Sequence, residues 1–487
     1  MKRLLRDGVV LPALLLGACA LQPNYRQPTL PVPASWNNAA GGTASSPAPP
    51  VARSWWTQLH DPAIDQLVSA GLGDNPTLAE AVARLDQARA LVKAQDAAKL
   101  PAIGIEGSAT RSRDRISPTG GPGNQTSAAL GARLTWELDL WRRVRESANA
   151  ARMRVDARTA DAQGARLSII SDIADNVVAL RACDLTLAVR DRDLLSRETE
   201  VTISRARLSF GSIAPVTLAT IQGNLASART DRIAQSETCL RLTDALVALS
   251  GLDAVRVREL VAPDASSQMA AEHSLPLPPP YVPALPASVL LDNPAVVAAE
   301  REAAARWSEV AVARAERMPR IDLTALLTGQ WIRAFGSDSS FRSNSIGAAL
   351  SAPLFDGGAG NANVRGAQAA YRAAVAQLAL IMRTTTRDIE DALAGQQSAA
   401  LRTNASQDAM AAARFALTAN EARWRAGTIA QFELEESRRQ FNLAQQGAIT
   451  AAADRARAWI ILMRLTIPVA GPERPFTTDM ESGRSPL

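Results

Sequence analysis

Aromatic side chains make up only 4% of the 487 residues, and alanine dominates the hydrophobic count. A large globular core needs more bulk than this, whereas alanine-rich sequence suits close helix–helix packing. Histidine occurs twice, at His60 and His273, and neither has metal-ligand neighbours at useful spacing. No Gly-rich loop ending in Lys-Ser or Lys-Thr is present, so nothing cradles a nucleotide phosphate. No arrangement of side chains suggests an activated nucleophile, and the expectation is a protein that is not an enzyme and carries no metal. Charge is nearly balanced, with 53 Lys and Arg against 48 Asp and Glu, and no basic block argues for nucleic acid. Beyond the N-terminus no segment reaches 18 continuous apolar residues, which excludes a helical membrane span there.

The N-terminus itself is patterned. Lys2, Arg3 and Arg6 precede an apolar stretch from Val9 to Leu16, too short to cross a bilayer and suited to a cleavable secretory signal. Leu16-Gly17-Ala18-Cys19 resembles a bacterial lipobox, in which the cysteine is lipidated and becomes the new N-terminus. The resemblance implies N-acyl and diacylglycerol lipid on Cys19, and Ala20 in place of Asp favours the outer membrane. Loss of Lys2, Arg3, Arg6 and Asp7 would lower the net charge from +5 to about +3. Cys183 and Cys239 then remain in an oxidising compartment.

The chain is duplicated at a period of about 216–218 residues, far above solenoid repeats. Asp74-Asn75-Pro76 recurs as Asp292-Asn293-Pro294, Pro101 as Pro319, and Gly131 as Gly347. Phe210-Gly211-Ser212-Ile213 recurs as Ala426-Gly427-Thr428-Ile429. Each copy reads as helix, strand pair, long helix, turn, helix.

Within each copy the hydrophobic period switches. Leu78, Val82, Leu85, Ala88 and Val92 form one helical stripe between Pro76 and Pro101. From Leu130 to Leu140 the period is two: Leu130, Ala132, Leu134, Trp136 and Leu138 alternate with Gly131, Arg133, Thr135, Glu137 and Asp139. Ile346, Ala348, Leu350, Ala352 and Leu354 repeat the pattern in copy two, and Ile103, Ile105, Ile321, Leu323, Ala325 and Leu327 open the partner strands. A strand that is apolar on one face and polar on the other fits a transmembrane β-barrel with a wet lumen. The alternative is a soluble sandwich with one buried face.

No proline occurs from Gly123 to Ala214 or from Leu354 to Ile467. A helix from about Arg143 to Ser209 would be about 100 Å long at 1.5 Å per residue and must lie against others in a coiled-coil-like array. Cys183 lies 28 residues before Gly211 and Cys239 lies 28 after it. If Gly211 is the turn of an antiparallel hairpin the two are level, within reach of a disulfide. The alternative is a pair of free thiols.

Taken with the duplication, several segments carry a resemblance over essentially the whole mature chain. They are Ser54-Trp55-Trp56-Thr57-Gln58-Leu59-His60-Asp61-Pro62, Asn75-Pro76-Thr77-Leu78, Ala81-Val82-Ala83-Arg84 and Pro353-Leu354-Phe355-Asp356-Gly357-Gly358. The chain resembles TolC/OprM-type outer-membrane efflux proteins, in the lipidated NodT-like branch. The resemblance implies a mainly helical homotrimer. Each subunit would give four strands to a shared twelve-stranded outer-membrane barrel and four long helices to a periplasmic α-barrel. It implies two partners, a periplasmic adaptor and an inner-membrane, proton-driven pump, besides outer-membrane lipid. It also implies that the turns at Gly211 and Gly427 are periplasmic tips. The family's acidic residues after the second Gly fall on Glu433 and Glu436, which would form a gate ring, although Glu435 stands where the family has Leu. The bland alternative for that pair is a solvated helix face. At the first tip the matching positions are Thr217 and Thr220, without charge.

The expected organisation is a signal at 1–18, a lipidated extended segment at 19–60, and a first repeat at 61–251 with strands near 102–111 and 128–140. An equatorial linker at 252–285 follows, then a second repeat at 286–467 with strands near 320–333 and 344–355, and a tail at 468–487. The expected function is a passive exit duct for small toxic compounds. A channel for protein or peptide secretion is the alternative, and a periplasmic adaptor or structural lipoprotein without a pore is a further one.

Overall fold

The structure, a computed structural model, describes residues 24–39, 54–114, 123–262, 275–279, 286–334 and 337–468. Cys19 and His273 lie outside them. After a short 3-10 helix at Trp55–Leu59, the order is α1 (Pro62–Asp74), α2 (Pro76–Ala97), β1 (Ala102–Asp114), β2 (Gly123–Leu138), α3 (Arg143–Ser209), α4 (Pro215–Ser250) and α5 (Ala254–Val261). The second copy follows as α6 (Pro286–Leu291), α7 (Pro294–Ala315), β3 (Arg320–Ala334), β4 (Ser337–Ser351), α8 (Ala359–Arg425) and α9 (Gln431–Thr466). The duplication is metric as well as sequential: α3 and α8 each have 67 residues. Likewise α4 and α9 each have 36.

Of the described residues, one compact unit holds 24–30, 83–114, 123–159, 298–334 and 337–380. Its centre is a single antiparallel sheet of order β1-β2-β3-β4. The register pairs Ile105 with Ala132, Ala132 with Leu327, and Leu327 with Asn344. Because side chains alternate along each strand, this register puts the apolar sets of all four strands on one face. The ladders run longer than the alternation suggested. β2 starts at Gly123 and β4 at Ser337, although Ser337–Ser345 shows no apolar period to read. Backbone pairing with β3 carries that serine-rich half. β4 also stops at Ser351, ahead of Pro353, which has no N–H for a ladder. The two longest helices, α3 and α8, start where an aspartate offers acceptors. Asp139 accepts from the backbone N–H of Val144 at 3.0 Å and Arg145 at 2.9 Å. Asp356 accepts from Gly358 at 2.8 Å and Gly360 at 2.7 Å. These are N-cap contacts, satisfying donors that no helical carbonyl can reach.

The second unit holds the described residues 31–39, 54–82, 160–262, 275–279, 286–297 and 381–468. Its core contains Trp55, Ile64, Leu67, Ile170, Ile173, Val177, Leu246 and Trp459, all essentially inaccessible. Trp55 and Trp459 meet at 5.6 Å between ring centroids. Asp61 caps α1 through Ala63 N–H at 3.0 Å and pairs with Arg181, whose Nε also donates to the Val261 carbonyl at 3.3 Å. The Trp-Trp…Asp-Pro segment is thus a docking device: one ring enters the core and the aspartate ties the chain to α3. Asn75 and Asn293 act alike. Each caps its helix through Oδ1, to Thr77 at 2.9 Å and Ala295 at 3.0 Å. Each also donates from Nδ2 to a carbonyl near the end of a distant helix, Leu249 at 2.9 Å and Leu465 at 3.1 Å. The segment 252–285, expected to be a linker, contains α5. It is capped by Asp253 and seated by buried Val257 and Val261.

Candidate functional site

The sheet is the first functional surface. Ile103, Ile105, Leu130, Leu134, Leu138, Ile321, Leu323, Leu327, Ile346 and Leu350 share one face by register. Ile103, Ile105, Leu130, Ile346 and Leu350 are more than 60% exposed, so this apolar face lacks a cover in the isolated chain. Exposed apolar area of that extent marks an interaction surface or contact with lipid. The other face carries Glu106, Arg133, Glu137 and Asp322. Arg133 pairs with Glu106 at 2.7 Å and Arg143 with Glu137 at 2.6 Å. Trp136 stands one row inside the lower end of the apolar face and Trp331 at its upper end, eight residues apart along β3 by register. At about 3.3 Å per residue and a tilt of about 40°, that spacing is about 20 Å, close to the apolar band between aromatic girdles of membrane barrels. Both outer strands keep one edge unpaired.

The two helical turns are the second surface. Gly211 and Gly427 both have φ +71, a backbone region that side-chain-bearing residues rarely adopt. Ser212 N–H donates to the Arg207 carbonyl at 2.9 Å and Gly211 N–H to that of Leu208 at 2.9 Å. Thr428 to Arg423 at 3.0 Å and Gly427 to Trp424 at 2.9 Å repeat the motif, a Schellman turn in each copy. Thr217 and Thr220 after the first turn are exposed.

After the second turn the carboxylates separate by role. Glu433 is exposed in the first turn of α9. Glu436 accepts from Gln440 Nε2 at 2.8 Å and Arg439 Nη2 at 2.9 Å, which hold its carboxyl below the usual range. Glu435 is the buried one, 2% exposed, and accepts from Ser196 on α3, from Gln431 Nε2 at 2.9 Å and from Arg438 Nη1 at 2.9 Å. Beside it on α3, Glu200 has its pKa pushed up by burial, with Arg439 pulling it down and Glu435 adding to the rise. Arg439 reaches Glu200 at 3.8 Å. Sequence reasoning placed weight on Glu433 and Glu436. Glu435 was flagged only by its departure from Leu, and that departure was the signal, since a carboxylate in a leucine position must find donors.

The cysteines lie on the other hairpin. Cys183 on α3 and Cys239 on α4 are joined by a disulfide, with Cα atoms 5.6 Å apart, inside the hydrophobic core. Gln235 Nε2 donates to Cys183 Sγ at 3.0 Å. Among the described residues no cluster of His, Cys, Asp and Glu is placed to hold a metal, and no helix is long and apolar enough to cross a membrane.

A family model described as outer membrane efflux protein matches residues 67–252 and 285–466, one block per copy. The chain belongs to the outer membrane efflux protein family. It is 26% identical over 463 residues to outer membrane protein OprJ of Pseudomonas aeruginosa, covering 94% of each chain. It is 26% identical over 456 residues to nodulation protein T of Rhizobium leguminosarum bv. trifolii, covering 92% of this chain and 94% of the relative. Among solved structures, the outer-membrane channel OprN superposes with a TM-score of 0.79 at 25% identity, covering 92% of this chain and 99% of that one. The open state of the Neisseria gonorrhoeae MtrE outer membrane channel gives 0.73 at 23% identity, with 93% and 98% covered. Both of these solved structures are described as outer-membrane channels.

Proposed function

We propose that the chain is the outer-membrane exit duct of a tripartite efflux system. Three copies would close their sheets edge to edge into one twelve-stranded barrel. The observation that carries this reading is the sheet itself: four strands, apolar on one face and charged on the other, with two bare edges. Lipid offers no partner to a bare edge, so a membrane sheet must close, and four strands are too few. The strands, 13 to 16 residues long, exceed the 9–11 needed to span. The apolar face would meet lipid and the charged face would line a water-filled lumen. Lipid on Cys19 would tether the N-terminus.

The duct is a passive conduit without a catalytic step. Export would be driven by an inner-membrane pump, proton-coupled by family resemblance, joined through a periplasmic adaptor at the helical turns. Relatives include proteins named for efflux of toluene and of solvents, which supports small toxic compounds as the cargo class. Glu433 and Glu436 of three subunits would place six carboxylates around the periplasmic opening, attracting cations and repelling anions. Planar-bilayer recording of the purified protein tests both levels. Cation-preferring conductance is expected, and Glu433→Ala with Glu436→Ala should move the reversal potential toward zero. Absence of any conductance would reject the duct. An unchanged reversal potential would remove these two residues from the opening.

A further inference from the structure

The apolar face of the sheet changes character toward its hairpin end. From the row of Leu138, Ile321 and Leu350 up to that of Ala132 and Leu327, none of its residues is charged. The next row pairs Gly107 with Leu130, Leu130 with Gly329, and Gly329 with Arg342. Two residues beyond lies Trp331, and two beyond that the row of Arg111, Thr126, Arg333 and Asp338. Arg113 follows, opposite Asn124. By strand alternation these four arginines all stand on the lipid-facing side, against one acid. That acid is already engaged: Asp338 takes both Arg333 nitrogens at 2.6 and 2.7 Å, while the Arg333 guanidinium carbon lies 5.4 Å from the Trp331 ring centroid. Arg111, Arg113 and Arg342 are exposed and pair with no carboxylate among the described residues.

Height decides what this belt meets. From Leu138 to Ala128 is ten residues of β2, about 25 Å along the barrel axis at a tilt of about 40°, the thickness of a barrel's apolar band. Arg342 therefore sits one row inside the upper boundary, where an arginine snorkels outward at little cost, and Arg111 sits one row outside it. Directly beside Arg342 the surface is hollow. Gly329 and Ser340 leave a depression walled by Ala128, Leu130, Trp331 and Arg342, and a second, walled by Ile105, Leu130 and Leu327, continues it. An apolar track with Arg342 beside it on β4, and Arg111 and Arg113 higher up on β1 at the opposite edge of the sheet, fits an amphiphile with several acyl chains below and separated phosphates above.

We propose that this surface binds a phosphorylated lipid of the outer leaflet, an acyl chain in the hollow over Gly329 and its phosphates on Arg111, Arg113 and Arg342. The inference rests on the outer-membrane barrel reading and adds a ligand to it. Charge complementarity and continuity with the lipid-facing band select a membrane lipid over a soluble anion.

The test uses the purified full chain in uncharged detergent, with diphosphoryl lipid A as probe and native mass spectrometry as readout. Wild-type protein should retain the probe, less so as salt rises. The triple variant Arg111→Gln, Arg113→Gln, Arg342→Gln should bind about tenfold more weakly, the sum expected of three exposed ion pairs. The corresponding triple Lys variant keeps the charge and should retain most of the binding, and it serves if the Gln variant fails to assemble. Equal binding by the Gln variant would overturn the proposal. So would wild-type binding that is as tight for fully dephosphorylated lipid A, or saturation of the site by inorganic phosphate alone. Conductance in neutral bilayers is unaffected by either result, so failure here is separable from failure of the duct.

Discussion

The two helical hairpins are the same object built twice and fastened differently. Both pair a 67-residue helix with a 36-residue one through a glycine at φ +71 and the same pair of carbonyl bonds. What is shared is what backbone geometry demands of a tight antiparallel turn. The fastenings differ. The α3–α4 hairpin is closed by Cys183–Cys239, a covalent bond in the core. The α8–α9 hairpin has Arg402 Nη2 donating to Asp454 at 3.4 Å and Asn420 Nδ2 donating to Ser437 Oγ at 2.5 Å, and α9 is held to α3 by charged contacts at Glu435, Arg439, Arg457 and Arg464. Both hairpins carry exposed ion pairs that respond to salt, Arg229–Glu198 and Arg232–Asp191 in the first and Arg402–Asp454 in the second; the first adds a covalent bond that only a reductant removes. The two copies therefore share their shape and differ in how they are fastened.

The largest effect should come from the covalent fastening. Cys183→Ser with Cys239→Ser should cost about 2–5 kcal/mol, seen as a lower thermal midpoint that reductant no longer changes. If reductant leaves the wild-type midpoint unmoved, the bond does not form in the cell. The converse variant transfers the lock. Ala399 and Arg455 stand 28 residues either side of Gly427, as the cysteines do from Gly211. Ala399→Cys with Arg455→Cys should oxidise to one new disulfide and raise stability by about 2 kcal/mol, engineered bonds commonly falling short of native ones. Two free thiols by mass would break the equivalence of the hairpins.

Smaller effects belong to the charged fastening. Glu435→Ala leaves Arg438 and Ser196 without their acceptor and should cost about 1.5–3 kcal/mol, measured by thermal unfolding. The smallest effect is a pH dependence. Burial raises the Glu200 carboxyl, so the folded state holds that proton more tightly than the unfolded chain does. Its contribution favours folding at acid pH and is lost as pH rises from the unfolded value through the raised one. Glu200→Gln should therefore be neutral in acid and slightly stabilising at neutral pH. A variant less stable at neutral pH would show that the Arg439 pairing outweighs desolvation.

Much of this was legible because it is periodic or punctuated. The glycine at 211 marks the end that α3 has, the proline-free run leaves room for its length after β2, and the equal distances of Cys183 and Cys239 from Gly211 foretell their level placement. The two faces of β2 follow from strict alternation. The serine-rich half of β4 has no such alternation, and only its ladder to β3 reveals it as strand. Asp139 and Asp356 were read as one end of a strand pattern and as part of a junction motif. Their capping depends on backbone N–H groups that no side-chain period reports. Glu435 was hidden for a related reason: its donors, Ser196 and Arg438, come from another helix and from its own next turn. The arginine belt was present in the strand pattern, but Arg111, Arg333 and Arg342 align only once the register is known.

The duct requires that four strands per chain close with two further copies. The most direct measurement is native mass spectrometry of the detergent-extracted protein. The expected result is a single species of three chains, each carrying the lipid mass on Cys19. A stable monomer or dimer, with the sheet edges still open, would contradict the account.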